Sequence, residues 1–387
     1  MATELAFALI NPYSIAKSRT GGIMGRFISR TGLELVAARM FGPSQELVET
    51  YASQLRQHLH HDERTRNILA DYVLKSYAPD PATGRRRRVM MLLFEGENAI
   101  EKIYRVAGPL RPNMEAGETV RDTYGDFIMS ESGDVRYVEP AVLVAPDAEA
   151  ARNTLTLWSR YSESDGGLIQ SASDVEMQDV EQTLVLIKPD NFRFPSSRPG
   201  NIIDLFSRSG LRIVAAKVHR MSVAEALKFY EPVREILRSK LKGTVAARAE
   251  KALAQELGIE IPEEVRQRLG EELGPRYGER QFAEIVHFMT GRWPVETQET
   301  ARTVPGSERC LALVYAGLDA VNKIRSILGS TDPSLAEPGS VRREFGRDIM
   351  VNAAHASDSA ENARREMNII NMKFDSVREW ISRYYGP

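Results

Sequence analysis

The feature that most constrains the fold of this chain is an internal repeat. Residues 22–39 align without gaps with residues 200–217, and both segments contain Ser-Arg-Thr/Ser-Gly-Leu followed by an apolar run. A short apolar segment precedes each copy, at residues 5–10 and 183–187. A repeat of this length indicates two domains of one fold rather than a solenoid of small units. The 387 residues are enough for two separate cores.

Each copy has the same order of elements: four apolar strands with helices between them. In the second copy we expect the strands at residues 183–187, 211–219, 310–315 and 347–350. This order predicts an α+β chain with two ferredoxin-like β-α-β-β-α-β domains, each an antiparallel four-stranded sheet with helices on one face. We expect the first domain at residues 1–160 and the second at 181–387. Residues 161–180 are rich in Ser, Asp, Gly and Gln and read as a linker.

A helical insertion interrupts the second copy at about residues 235–279. Residues 246–257 are strong helix formers that end at Gly258, and residues 262–273 begin with acidic residues, as a helix dipole favours. We expect a helical hairpin there. The first copy is shorter in this region and contains three histidines, which we interpret as surface residues in preference to metal ligands: His58, His60 and His61.

Composition excludes several classes of protein. The net charge of -2 gives no general attraction to nucleic acid, and we interpret the run Arg85, Arg86, Arg87 and Arg88 as a solvated loop rather than a nucleic-acid patch. Cys310 is the one cysteine, so an intramolecular disulfide is impossible, and its apolar neighbours favour a small core residue. The sequence has no stretch long enough for a membrane span, which favours a cytoplasmic protein.

One histidine stands out as a candidate nucleophile. His355 precedes Ser357 and Ser359, either of which could cap a helix that contains Glu366. We therefore expect His355 in a tight turn before a helix N-terminus, a place where free backbone N–H groups favour phosphate. Alone, this pattern is more often that of a structural histidine than of a catalytic one.

Six ordered motifs in the second copy resemble those of nucleoside diphosphate kinases, and the resemblance extends over both repeats. They are Lys188-Pro-Asp, Phe229-Tyr230, Asn322-Lys-Ile-Arg325, Leu328-Gly-Ser-Thr331-Asp-Pro, Glu337-Pro-Gly-Ser-Val-Arg342 and Asn352-x-x-His355-x-Ser357-Asp-Ser359. The chain has no Gly-x-x-x-x-Gly-Lys-Ser/Thr phosphate loop, and the family has none either.

The resemblance implies a ping-pong transfer of the γ-phosphoryl group from ATP or another nucleoside triphosphate to a nucleoside diphosphate, through phosphohistidine at His355. Glu366 and Ser357 are implied to orient that ring. The implied nucleotide-binding residues are Lys188, Tyr230, Arg325, Thr331, Arg342 and Asn352. Mg²⁺ is the implied cofactor, bridging the phosphates without dedicated protein ligands.

The first copy departs from this pattern. Asn11 stands where the second copy has Lys188, Tyr104 where it has Arg325, and Val144 where the alignment puts His355, whereas Arg121 and Tyr51 match their counterparts. We therefore expect residues 1–160 to be catalytically silent and to replace a partner subunit. The chain is then expected to form a homo-oligomer built from tandem pseudo-dimers.

The second copy departs from the family at the base. The insertion ends just before Gln281, which stands where the family has an aromatic residue, and Phe282 follows one residue later. We assign both to the nucleotide site. A nucleotide-binding scaffold or regulatory protein with weak or no turnover is the alternative to an active kinase.

Overall fold

A computed structural model describes residues 3–57, 62–111, 117–169 and 180–386 of the chain. It divides into two compact units, Met1–His219 with Leu311–Pro387, and Arg220–Cys310. Within the described ranges, each helix is either too short or too polar to cross a lipid bilayer.

The first copy of the repeat forms one four-stranded sheet in the order β2-β3-β1-β6 and a separate two-stranded sheet of β4 and β5. Its elements are β1 (Thr3–Ile10), α1 (Pro12–Ala16), α2 (Thr20–Thr31), β2 (Glu34–Phe41), α3 (Gln45–Gln57), α4 (Glu63–Ser76), β3 (Val89–Glu97), α5 (Ala99–Ala107), α6 (Val120–Tyr124), β4 (Asp126–Met129), β5 (Val135–Glu139), β6 (Val142–Val144), α7 (Ala148–Arg160) and α8 (Ser162–Asp165).

The second copy repeats this topology. Its elements are β7 (Glu181–Ile187), α9 (Arg198–Ser207), β8 (Arg212–His219), α10 (Val223–Phe229), α11 (Glu231–Lys240), α12 (Lys242–Leu257), α13 (Glu263–Thr290), β9 (Cys310–Gly317), α14 (Ala320–Leu328), α15 (Val341–Phe345), β10 (Ala354–Ala356), α16 (Ala360–Ile369) and α17 (Ser376–Tyr385). The sheet order is β10-β7-β9-β8, so in both copies the strands follow the order 4-1-3-2. The predicted ferredoxin-like α+β class is confirmed.

The fourth strand of the second copy lies later than the sequence indicated. We expected it at residues 347–350, but the structure has β10 at Ala354–Ala356. The Asp348 carboxylate accepts hydrogen bonds from the backbone N–H groups of Met350 and Val351, at 2.9 and 2.7 Å. That carboxylate closes a turn where we expected an extended strand.

The two copies pack against each other through α2 and α9. A Cβ atom on Gly21 would lie 2.3 Å from the carbonyl oxygen of Gly200, so the two backbones are closer than any larger residue allows. The Gly22 N–H donates across this contact to the Asp204 carboxylate at 3.2 Å. Burial raises the pKa of Asp204 to about 6.

Part of the segment expected to be a linker joins the edges of the two sheets. Strands β2 and β8 are edge strands, and the N–H groups of Gly167 and Ile169 donate to Met40 of β2 at 2.8 Å and to Val214 of β8 at 2.9 Å. These bonds cover edges that would otherwise expose unpaired backbone groups. Residues 170–179 of the expected linker lie outside the described residues.

The second unit contains α10 to α13. Helix α12 ends at Gly258 in the left-handed conformation, as predicted, and α12 and α13 form the expected hairpin. The second helix of the hairpin is longer than the sequence indicated, because residues 262–273 continue in α13 as far as Thr290. Gly274 and Gly278 within this helix let Lys242 and Arg238 approach closely, so packing overrides local propensity.

Candidate active site

His355 lies in a strand and not in the turn that the sequence indicated. It is the central residue of β10 and pairs with Leu186 of β7. The helix begins only at Ala360, and Ser359 caps it by accepting from the Asn362 N–H at 3.1 Å. The strand was not predicted because its pairing with β7 is long-range and leaves no local sequence pattern.

A buried carboxylate holds the ring of His355. Nε2 of His355 lies 2.9 Å from Oε2 of Glu366, and the Ser357 hydroxyl donates to the same oxygen at 2.6 Å. An ionised carboxylate only accepts hydrogen bonds, so Nε2 carries the proton in this arrangement and Nδ1 carries the lone pair. The His355 side chain is 22% exposed and Glu366 only 6%, so the ring is accessible from solvent while its support is not.

Arg342 extends beside this strand from α15. Its guanidinium donates to the carbonyl oxygens of Gly329 at 3.1 Å and Ala354 at 3.3 Å, and lies 3.4 Å from the Thr331 hydroxyl. Ala354 is the neighbour of His355 in β10, so this cation is fixed next to the candidate nucleophile. A planar guanidinium in this position suits phosphate oxygens.

A second cation lies at the end of β7. Nζ of Lys188 donates to the Asn352 side-chain oxygen at 2.6 Å and to the Met350 carbonyl at 3.1 Å. The Asn352 amide donates in turn to the carbonyl oxygen of Thr331 at 3.0 Å. Burial, reinforced by the positive charge of Arg342, lowers the pKa of Lys188 to about 8.

Arg325 is an exposed residue in the last turn of α14. The hydrogen bond from Asn362, helped by the charge of Arg325, holds the pKa of Asp358 below its usual value. Since Asp358 follows β10 directly, Arg325 places its charge at the same end of the sheet. The first unit therefore holds eight of the predicted site residues: Lys188, Arg325, Thr331, Arg342, Asn352, His355, Ser357 and Glu366.

The other three predicted site residues belong to the second unit. Tyr230 is buried at the C-terminal end of α10. Gln281 donates to Glu284 at 2.7 Å, and Phe282 is buried beneath the guanidinium of Arg234, 5.4 Å from the ring centre. Their assignment to the nucleotide remains a prediction.

Two residues near the site were not predicted. The buried Asn191 side chain donates to the carbonyl oxygens of Lys188 at 3.1 Å and Ala353 at 2.8 Å. Ala353 has a positive φ of 68°, a conformation that costs free energy unless the surroundings hold it. Asn191 thus fixes the turn that leads into His355. Burial also raises the pKa of Asp190, although the positive charges of Lys188 and Arg198 act against this rise.

The first copy keeps the backbone of the site but has different side chains at its key positions. Ala141 has a positive φ of 60° and accepts from the Asn11 N–H at 3.1 Å, as Ala353 accepts from the Lys188 N–H at 2.9 Å. Leu143 of β6 pairs with Leu9 of β1, and His355 of β10 pairs with Leu186 of β7. The two strand pairs have the same register.

This register corrects the sequence alignment by one residue. The counterpart of His355 is Leu143, and Val144, which we had aligned with it, is wrong. Thr154 lies as far beyond the helix cap Asp147 as Glu366 lies beyond the helix cap Ser359. Thr154 is therefore the counterpart of Glu366 in the first copy. A leucine has no lone pair to accept a phosphoryl group.

Tyr51 also does not match Tyr230. It lies as far beyond Ser44 as Phe229 lies beyond Ser222, and both serines cap the helix that follows. The counterpart of Tyr51 is therefore Phe229. Because Phe229 and Tyr230 are adjacent aromatic residues, an alignment error of one residue matched Tyr51 with Tyr230 instead.

Among the described residues, no cluster of three or more His, Cys, Asp or Glu side chains could hold a metal ion. His58, His60 and His61 lie outside the described residues.

Comparison with known proteins places the chain in a family. The sequence profile of "Nucleoside diphosphate kinase" matches residues 4–132, 181–248 and 299–375, together well over half of the chain. A nucleoside diphosphate kinase of Campylobacter fetus is 34% identical over 49% of this chain and 93% of its own length, and one of Chlamydia abortus is 31% identical over 51% and 97%. A solved structure of an NDP kinase from Pyrobaculum aerophilum is 30% identical, with a TM-score of 0.33, over 49% of this chain and 94% of its own. The chain therefore belongs to the nucleoside diphosphate kinase family, in a tandem form with two copies of the domain.

Proposed function

We propose that this protein is a cytoplasmic nucleoside diphosphate kinase that works through phosphohistidine at His355. The observation that carries the proposal is the hydrogen-bonded series of Ser357, Glu366 and His355, at 2.6 and 2.9 Å. It fixes the tautomer that leaves a lone pair on Nδ1, as nucleophilic attack on phosphorus needs.

In the proposed first half-reaction, Nδ1 of His355 attacks the γ-phosphorus of a nucleoside triphosphate. The bond from that phosphorus to the β–γ bridging oxygen breaks, and the nucleoside diphosphate leaves. The second half-reaction reverses these steps with a different diphosphate. The proton on Nε2 stays hydrogen-bonded to Glu366, whose negative charge stabilises the ring as it becomes cationic.

The cations supply positioning and charge. We assign Arg342, Arg325 and Thr331 to the β- and γ-phosphates, and Lys188 with Asn352 to the terminal phosphate and ribose oxygens. Phosphoryl transfer spreads negative charge over oxygen atoms, so fixed cations stabilise the transition state without covalent chemistry. Magnesium, when bound with the nucleotide, neutralises part of the phosphate charge. The assignment of Tyr230, Gln281 and Phe282 to the sugar and base rests on the family resemblance alone.

We further propose that the domain at residues 1–160 is catalytically silent, that residues 181–387 hold the working site, and that the silent copy takes the place of a partner subunit. Leu143 in the place of His355 and Thr154 in that of Glu366 support the first part. The packing of α2 on α9 inside one chain supports the last, because it joins the two copies as a pseudo-dimer. Further assembly of such pseudo-dimers into a homo-oligomer belongs to the same proposal.

The test is transfer of a labelled phosphoryl group. The protein is incubated with γ-labelled ATP, and the label is expected on His355, stable to alkali and labile to acid. Addition of an unlabelled nucleoside diphosphate should then move the label to nucleoside triphosphate.

The matched variants are His355→Gln, which should abolish labelling, and His219→Gln, which changes a histidine of β8 and should leave it intact. Equal labelling of the His355→Gln variant and the wild type contradicts the proposal. Label that forms on His355 but is not passed to the diphosphate favours the alternative, a nucleotide-binding scaffold or regulatory protein.

A further inference from the structure

A cavity of about 690 Å³ opens in the first copy, away from the place of the lost nucleophile. Helix α4, strand β5 and the segment that leads into β3 form its walls. The cavity at the degenerate site, beside Leu143 and Arg121, is about 260 Å³ and has no lining residue in common with it. The larger cavity has the size of pockets that hold small molecules.

The wall of this cavity is strongly basic. Its six cationic side chains are Lys75, Arg85, Arg86, Arg87, Arg88 and Arg136. The arginine run that we interpreted as a solvated loop therefore lines a concave surface. A low-dielectric concave surface with one sign of charge concentrates ligands of the opposite sign.

The loop before the arginines is closed by Asp80. Its carboxylate accepts from the N–H groups of Ala82 at 3.1 Å and Thr83 at 2.8 Å, and its backbone N–H donates to the Arg85 carbonyl at 2.8 Å. A loop held by this many bonds presents the arginines from a fixed backbone, which reduces the entropy lost on binding.

Beyond this turn the chain is extended and its side chains alternate. Arg86 donates to Asp165 at 2.8 Å, and Arg88 donates to the carbonyl oxygen of Ile213 at 2.8 Å. Both are half-buried, whereas Arg85 and Arg87 are exposed. The two anchored arginines fix this segment, which leads into β3, and the other two are its exposed members.

Of the three acidic residues of the wall, Asp80 closes the loop described above, and the other two are engaged elsewhere. Asp71 pairs at 2.8 Å with Arg56, which does not line the cavity. Glu139 is buried and accepts hydrogen bonds from Asn11 at 3.1 Å and from the Tyr72 hydroxyl at 2.8 Å. Burial raises the pKa of Glu139, which disfavours its charged form.

Three of the cations lack such engagement. In the part of the chain that the structure describes, Lys75, Arg87 and Arg136 have no hydrogen-bond or ion-pair partner, and all three are exposed. The cavity thus combines fixed and exposed cations, six in all, with three carboxyl groups, of which Asp80 interacts electrostatically with Arg87.

We propose that this cavity binds a small molecule with a polyphosphate chain, such as a nucleoside triphosphate, at a second site distinct from His355. Guanidinium groups pair with phosphate oxygens, and three or more available cations match a chain of phosphates better than a single anion. Tyr13 and Tyr137 also line the cavity and offer aromatic surface to the remainder of the ligand. A small ligand fits the concave and confined basic surface better than a nucleic acid, because the chain as a whole is nearly neutral.

The test counts bound nucleotide on the full chain by equilibrium dialysis, with the non-hydrolysable analogue AMP-PNP as the probe. The cavity variant is Arg87→Ala with Arg136→Ala, and the control with the same change in charge is Arg105→Ala with Arg160→Ala, two exposed arginines outside the cavity. Inorganic tripolyphosphate and adenosine serve as competitors. Thermal unfolding checks that all variants fold.

Wild type and control are expected to bind two molecules per chain. The cavity variant should retain one and bind the second at least about tenfold more weakly, since charge-assisted hydrogen bonds are lost. Tripolyphosphate should displace the second molecule and adenosine should not. If the site at His355 fails to bind nucleotide, wild type and control should bind one molecule per chain and the cavity variant none. Failure of the proposed kinase is then distinguishable from failure of the second site.

Equal binding by the cavity variant and the wild type overturns the inference. Displacement by adenosine but not by tripolyphosphate also overturns it, because the phosphate chain is then not what the cavity recognises. Tighter binding of a short single-stranded RNA than of AMP-PNP, lost in the cavity variant, assigns the surface to nucleic acid instead.

Discussion

The pKa of Lys188 gives the proposed reaction a pH dependence that can be measured. Burial and the nearby charge of Arg342 lower this pKa from 10.5 to about 8. The difference corresponds to about 3 kcal/mol against the charged amine in the free protein. At pH 7 about nine-tenths of the molecules still carry the charge, and above pH 8 the fraction falls about tenfold per unit.

We therefore expect kcat/KM for ATP to fall through pH about 8, because kcat/KM reports the free enzyme. The profile of kcat should break at a higher pH, since bound phosphate anions favour the charged amine and raise its pKa. Stopped-flow measurement of phosphohistidine formation across the alkaline range, at limiting and at saturating ATP, separates the two profiles.

The variant Lys188→Arg is the control that tests whether Lys188 causes the break in the pH profile. A guanidinium stays charged throughout this range, so the break near pH 8 should disappear. The overall rate should also fall, because the arginine fork does not reproduce the bonds of the amine to Asn352 and Met350. A flat wild-type profile up to about pH 10, or a break that persists unchanged in Lys188→Arg, refutes the assigned role of this residue.

Three further changes have expected outcomes. Glu366→Gln should slow phosphohistidine formation about a hundredfold with little loss of ATP binding, and an unchanged rate would remove Glu366 from the proposed site. Asp204→Asn should raise the free energy of unfolding in urea by up to about 3 kcal/mol at pH 8 and by little near pH 4, because a carboxyl with a raised pKa loses its stabilising contribution as the pH rises through about 6. Arg121→Met should cost about 2–4 kcal/mol by leaving the carbonyl oxygens of Gly108 and Val142 unpaired, while labelling of His355 stays at the wild-type rate. An equal gain in unfolding free energy over the wild type at both pH values for Asp204→Asn, or loss of His355 labelling in Arg121→Met, would contradict these two predictions.

The topology was predictable because it repeats within the chain. Two copies of the pattern 31–39 and 209–217 predict two sheets with the same strand order, and the structure has both. The helix cap at Ser359 and the stop at Gly258 were also visible, since both act through local backbone geometry.

The register of short strands was not predictable. Strand β10 has three residues, and its place is set by pairing with β7, far away in the sequence. A shift of one residue moves every side chain to the other face of the sheet, so Val144 and Leu143 could not be separated from the sequence alone. The cavity beside the arginine run was hidden for the same reason, because its walls come from segments distant in sequence.

The two copies in one chain separate structural from chemical reasons for a residue. In the first copy Arg121 donates to the carbonyl oxygens of Gly108 and Val142. In the second copy Arg342 donates to the equivalent carbonyl oxygens of Gly329 and Ala354. Each arginine thus connects its own helix to two other segments of the chain by hydrogen bonds. The fold needs such an arginine whether or not phosphate binds.

Presence of this arginine in the first copy is therefore no sign of a second working site. His355 and Glu366, by contrast, bond to each other, and Ser357 donates to the same carboxylate. A leucine and a threonine occupy their places in the first copy, where the equivalent strand and helix still form. Residues that the fold does not need are therefore the ones that bear on the proposal that the first copy is silent. Their presence in the second copy is what points to chemistry at His355.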